Sequence, residues 1–200
     1  MASDTRERVV DAARQLFWEQ GYQGTSLARI AEASGANPGS VYYFFRTKAE
    51  ILDAVLEHYE QQLGAWLLDP VFERTDDPVE RVLGVIGTYR SFLLETGFTL
   101  GCPVGGLALE IDDSLPEARG RIAGIFDSLT GALVACFEAA RAGAAWDGPS
   151  PETLATLAMT VIEGGIVQAR AARSIEPFDR SVEALRDYLG RLLPSPVTPP

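Results

Sequence analysis

The sequence predicts an all-α fold, with an N-terminal three-helix helix-turn-helix domain and a C-terminal helical bundle. Three observations carry this prediction. Apolar residues recur three and four apart through segment after segment. Ser, Thr, Asp or Asn precedes most of these segments, several with Pro in the first turn. No segment shows the sustained alternation of a half-buried strand. A 46% hydrophobic content supplies an ample core.

The first helix is expected from about Asp4 to Gln20. Asp4 and Glu7 have capping-box spacing, Val9, Ala13, Leu16 and Phe17 make its apolar stripe, and Gly21 ends it. The stretch Thr25–Lys48 then holds two short helices and a tight turn. Leu27, Ile30, Ala31 and Ser34 share one face of the first. Gly35 suits a left-handed helix end, Asn37 an N-cap and Pro38 the first turn of the second helix. That helix carries Ser40, Val41, Tyr42, Tyr43 and Phe44. Helix, glycine turn and helix outline a helix-turn-helix, whose second helix lies in the DNA major groove.

Thr47 and Glu50 form a second capping box. The helix they open bears Ile51, Leu52, Val55, Leu56, Tyr59 and Leu63 and is expected to reach about Leu68. It joins the module directly to the body, so coupling between them is expected along it. Asp69-Pro70 and the polar run Glu73 to Pro78 read as a linker. Asp77 caps the next helix, which carries Val82, Val85, Ile86, Tyr89 and Leu93 and ends at Gly97. Gly101 to Gly106 read as a loop, and Leu107 to Ile111 as a short helix.

Ser114 and Glu117 make a third capping box ahead of a long helix to about Ala142. Ser150-Pro151 opens another, to about Arg173. Between Leu154 and Ala172 it is apolar nearly all round, so it must be buried on every side. In a body this small the second side is most simply covered by a partner subunit. A last helix spans about Phe178 to Leu193. The expected domains are 1–48 (helix-turn-helix), 49–193 (ligand binding and dimerisation) and a disordered tail, 194–200.

Net charge is −11, which argues against simple nucleic-acid binding. Its distribution softens the objection. Of 17 basic and 28 acidic residues, six of each lie in residues 1–50. The rest of the chain carries the whole deficit, and its acidic body should face away from phosphate. A near-neutral reader neutralises few phosphates per subunit, so affinity is expected to depend on dimerisation. No signal peptide or apolar run of membrane-spanning length is read, and a cytoplasmic protein without membrane partners is expected. One histidine, His58, and two separated cysteines, Cys102 and Cys136, make no metal or disulfide framework. No metal, cofactor or catalytic cluster is expected.

The run Thr25, Ile30, Ala31, Gly35, Gly39, Tyr42, Phe45 and Lys48, with Ala12, Ala13, Leu16, Phe17, Gly21 and Tyr22 upstream, resembles the DNA-binding signature of the TetR/AcrR transcriptional regulators. The resemblance implies a homodimeric repressor on a pseudo-palindromic double-stranded operator, released by a small-molecule effector. It places DNA contacts at Thr25, Ser26, Asn37, Pro38, Gly39, Ser40, Tyr42, Tyr43 and Lys48. Pro38 departs from the long polar side chain usual in the family, so readout there falls to its neighbours. Thr25 is expected to cap the second helix and show its hydroxyl to phosphate. Lys48 is the only lysine and sits well for a phosphate.

The resemblance also implies an effector pocket in the C-terminal helices. Its expected lining is Trp66, Tyr89, Phe92, Phe98, Cys102, Leu107, Phe126 and Glu163. The segment GCPVGGLALE, with Glu163-Gly164 and Ala169-Arg170, looks like one subset of these regulators. The dimer face is assigned to Ile125, Ala132, Val161, Gly164 and Gln168. Two rival readings stay open: a helical small-molecule binding protein or enzyme with a vestigial helix-turn-helix, and a thiol sensor acting through Cys102.

Overall fold

A computed structural model describes residues 2–142, 146 and 148–193, with side chains from residue 4 onward. The tail expected to be disordered lies outside the described residues. The described chain forms ten helices and no strand: α1 (Ala2–Gln20), α2 (Leu27–Ser34), α3 (Pro38–Phe44), α4 (Lys48–Leu67), α5 (Asp69–Phe72), α6 (Pro78–Glu95), α7 (Pro103–Glu110), α8 (Pro116–Ala142), α9 (Pro151–Ala172) and α10 (Glu176–Leu192).

The chain divides into two compact units. One comprises residues up to 62 with 102–125; the other comprises 63–101 and the residues from 126 onward. These units cut the chain differently from the 1–48 and 49–193 modules read from sequence. The reason is α7, which packs on α1 far from it in sequence. The chain therefore passes between the units three times, and α4 is not the sole covalent link.

In the first unit α1 buries Val9, Ala13, Leu16 and Phe17, as its spacing requires. It starts before Asp4, so that residue is no cap. Its carboxylate instead pairs with Arg8 one turn on, at 2.7 Å. Gly35 ends α2 at φ +64°, and Asn37 Oδ1 accepts the Ser40 N–H at 2.8 Å to open α3. Thr47 Oγ1 accepts the Glu50 N–H at 3.2 Å, while Glu50 reaches back to the Arg46 N–H at 2.8 Å. Ser114 makes no such box with Glu117; it donates its amide and hydroxyl to Asp112.

The short helix α5 appears where a break was expected, and α7 begins at Pro103, upstream of the helix expected from Leu107 to Ile111. In α5, Val71 is buried against α6, and a Cβ on Gly84 would meet it at 2.5 Å. The contact that holds α5 is thus set by a residue in the next helix. In α7, the Cys102 sulfur accepts the Gly105 N–H at 3.3 Å and Pro103 occupies the first turn. That cap starts the helix upstream of its glycines, and Val104 and Leu107 bury it.

In the second unit α9 packs between α6 and α10. A Cβ on Gly165 would stand 2.7 Å from the Phe178 ring, so the glycine admits the ring. Arg90 and Asp179 join α6 to α10 through two bonds of 2.7 and 2.8 Å. The length and composition of α8 would also suit a membrane span. Its stripe of Ile122, Ile125, Leu129, Leu133 and Phe137 is buried, while the opposite side is exposed. Phe178 is fully buried. Phe178→Ala should lower unfolding free energy by about 3–5 kcal/mol, read by chemical denaturation at fixed protein concentration.

Candidate nucleic-acid interface

The α3 helix separates its residues cleanly by side. Val41 is buried, and Phe45 just beyond the helix is buried with it. Asn37, Pro38 and Gly39 are exposed, Ser40 is half-buried, and Tyr42 and Tyr43 stand 56% and 81% exposed. The Tyr43 ring meets Phe44 edge to face at 5.0 Å. A short helix thus shows one amide, one serine and two phenol hydroxyls to solvent. These groups can bond phosphate oxygens or base edges. Asn37 Oδ1 is already committed to the cap. Its amide nitrogen remains the part that can face outward.

The start of α2 corrects one expectation. Thr25 is only 1% exposed, and its hydroxyl donates inward to Gly21 O at 2.8 Å and Leu16 O at 3.3 Å. Ser26 caps the helix instead, accepting the Arg29 N–H at 3.3 Å. The one-residue shift has a steric cause: Thr25 fills the inside of the α1–α2 turn, leaving Ser26 exposed at the helix start.

Lys48 also turns inward. Its ammonium donates to Tyr22 O at 2.8 Å and Thr25 O at 3.0 Å, and lies 4.1 Å from the Tyr22 ring centre. Burial lowers its pKa from the ordinary lysine value, with the Glu110 charge acting the other way. Burial likewise raises the Tyr22 phenol. On the surface of the same module, Arg29 and Arg46 are exposed. Sequence reasoning counted them as charges and gave them no role. The available signal was their placement, Arg29 in the first turn of α2 and Arg46 just past α3.

Of the expected effector pocket, Phe126 and Glu163 line a cavity of about 400 Å³ with Thr130, Met159, Thr160 and Gly164. Trp66 meets Phe92 edge to face at 6.3 Å. Tyr89 is buried core, and Phe98 adopts φ +63°. Cys102 and Leu107 are buried in the unit that holds α1 to α3. There Cys102 caps α7 and adds to the forces on Tyr59, whose phenol burial pushes upward against the pull of Arg14.

The dimer-face assignment divides in the same way. Val161, Gly164 and Ala132 are half-buried and Gln168 is exposed, whereas Ile125 is 3% exposed within its own chain. Space next to Ile125 is open at Gly124. Leu157 and Val167, not singled out from sequence, stand exposed on α9. The all-round apolar pattern of α9 therefore leaves its outer side in water in a lone chain.

Comparison with known proteins agrees with this geometry. Residues 9–55 match the family of bacterial regulatory proteins, tetR family, and residues 78–184 match the LmrA/YxaF-like transcriptional regulator C-terminal domain. An uncharacterised HTH-type transcriptional regulator of Mycobacterium tuberculosis is 29% identical over 198 residues, covering 94% of this chain and 96% of the relative. The HTH-type transcriptional repressor DhaR of a Mycobacterium species is 25% identical over 185 residues, covering 92% and 91%. Among solved structures, a cysteine-substituted form of the TetR family regulator CifR, in complex with 26-bp double-strand operator DNA, is 27% identical. It superposes with a TM-score of 0.76 over 90% of this chain and 94% of that one. The chain belongs to the TetR family and is a DNA-binding transcriptional regulator with an LmrA/YxaF-like C-terminal domain.

Proposed function

We propose that the protein is a cytoplasmic, homodimeric repressor that binds a pseudo-palindromic operator and leaves it when a small-molecule effector binds the C-terminal helices. The observation that carries the DNA reading is the outward pair Tyr42 and Tyr43 on a helix whose other side is locked into the core. Buried aromatics would serve packing; these stand where only a partner can use them. The contact surface is Ser26, Asn37, Pro38, Gly39, Ser40, Tyr42 and Tyr43, with Arg29 and Arg46 supplying phosphate charge. Thr25 and Lys48 support that surface from inside. Two of the relatives, a transcriptional repressor and an operator-bound regulator, support the same reading.

Dimerisation follows from the small charge of the reader and the exposed apolar side of α9. The same side holds Gly164, which also borders the Phe126–Glu163 cavity. A partner subunit on this face would cover Leu157, Val161 and Val167 and close the cavity mouth. An effector that favours the DNA-incompetent arrangement then shifts the population off the operator.

Tyr42→Ala and Tyr43→Ala should each weaken binding to a duplex from upstream of the protein's own gene about tenfold or more, read by fluorescence anisotropy. Their unfolding free energy should stay within about 0.5 kcal/mol of the parent, because the side chains are exposed. Undiminished binding in both variants rejects this contact surface. Val167→Glu places a charge on the exposed side of α9 and should shift the protein from dimer to monomer in sedimentation velocity. Operator affinity should fall with it; a fully dimeric Val167→Glu protein rejects the α9 interface.

A further inference from the structure

We propose that Glu110, at the C-terminal end of α7, is a positioning residue for operator binding, because its carboxylate clamps the α1–α2 turn that sets the helix-turn-helix in place. The proposal rests on the DNA-binding role of α3 and adds a residue outside the helix-turn-helix to it. The Gln23 N–H donates to Glu110 Oε2 at 2.8 Å, across 87 positions of sequence. Gly21, two residues earlier, lies against the same carboxylate. A Cβ there would fall 2.4 Å from Oε1 and 2.8 Å from Oε2, and its φ of +81° already favours glycine. The turn is therefore shaped to admit this carboxylate.

The same turn is gripped a second time by Lys48, which takes the carbonyls of Tyr22 and Thr25. Inside it, Thr25 ties back to Gly21. The turn that starts α2 thus hangs between a cation at the start of α4 and an anion at the end of α7. Neither ion belongs to the DNA surface. Displacing either would free the Ser26 cap and tilt α2, and with it α3, which packs on α1 and α2.

The other end of this segment is also held. Arg170 donates to Thr99 O and Arg173 to Phe98 O, both at 3.1 Å, within the second unit. Phe98 and Arg173 are the two non-glycine residues with positive φ among the described residues. So α7 lies in the chain between a grip on α9 and a grip on the α1–α2 turn.

The test compares Glu110→Ala, Glu110→Gln and Glu110→Asp in the full-length protein. Amide hydrogen exchange is followed by mass spectrometry over residues 21–25. Operator affinity is measured on a duplex from upstream of the protein's own gene, well below the melting temperature. Glu110→Ala and the shorter Glu110→Asp should speed exchange in that peptide and weaken binding about tenfold, as expected for one lost charge-assisted hydrogen bond. Glu110→Gln keeps an acceptor oxygen at the same reach and should restore most of both. If Glu110→Ala fails to fold, the Asp and Gln pair decides. Unchanged exchange in residues 21–25 overturns the clamp. Faster exchange with unchanged affinity overturns the positioning role. A parent protein that binds no operator DNA removes the DNA reading and this role with it, while the exchange result still reports the clamp separately.

Discussion

The reader module depends on one inward-turned, half-buried cation. Lys48 sits at the first residue of α4 and spends its ammonium on two carbonyls of the α1–α2 turn. Tyr22 O also takes the Thr25 N–H, but Thr25 O relies on this ammonium, and a carbonyl turned inward without a donor costs about 1–3 kcal/mol. Everything that faces DNA is built outward from this ion. Thr25 can turn its hydroxyl inward because the turn is closed, and Ser26 then stands at the start of α2. With α2 fixed, Gly35 and the Asn37 cap set the angle at which α3 leaves. The outward position of Tyr42 and Tyr43 is the last consequence of this sequence.

Such an arrangement separates two tasks that a charge count merges. The cations that hold the module are inside it, and those that can meet phosphate, Arg29 and Arg46, are few and exposed. An affinity built on few phosphate contacts falls gently with salt, by a slope of about 0.9 per contact. It gains by doubling the reader. The acidic remainder of the chain adds no attraction of its own, so the proposed reading puts specificity on base-edge and hydroxyl contacts more than on long-range steering.

Local signals made much of this legible. Gly35, Asn37 and the Val9–Phe17 stripe are settled by residues within one or two turns, so the helix-turn-helix could be drawn from sequence spacing. The family resemblance covered the same stretch. What escaped was set by distant neighbours. Nothing near Glu110 points to Gln23, and nothing near Val71 shows that Gly84 will admit it. The cap moved from Thr25 to Ser26 because both residue types suit the role, and only packing of the turn decides between them. Lys48 was read outward since a lone lysine beside a reader invites a phosphate; its inward turn needs the carbonyls of a turn 23 to 26 residues earlier. The apolar ring on α9 was legible as a pattern, but which side faces the chain's own core is fixed by Phe178 against Gly165.

Paired α3 helices reading a two-fold DNA site would leave a symmetric footprint. Hydroxyl-radical footprinting of the purified protein on the region upstream of its own gene tests it most directly. Two protected half-sites related by a dyad are expected. Their centres should be separated by about 10 bp or a multiple of that spacing, and protection should be lost in the Tyr42→Ala protein. A single protected patch without symmetry, or protection unchanged by that substitution, would contradict it.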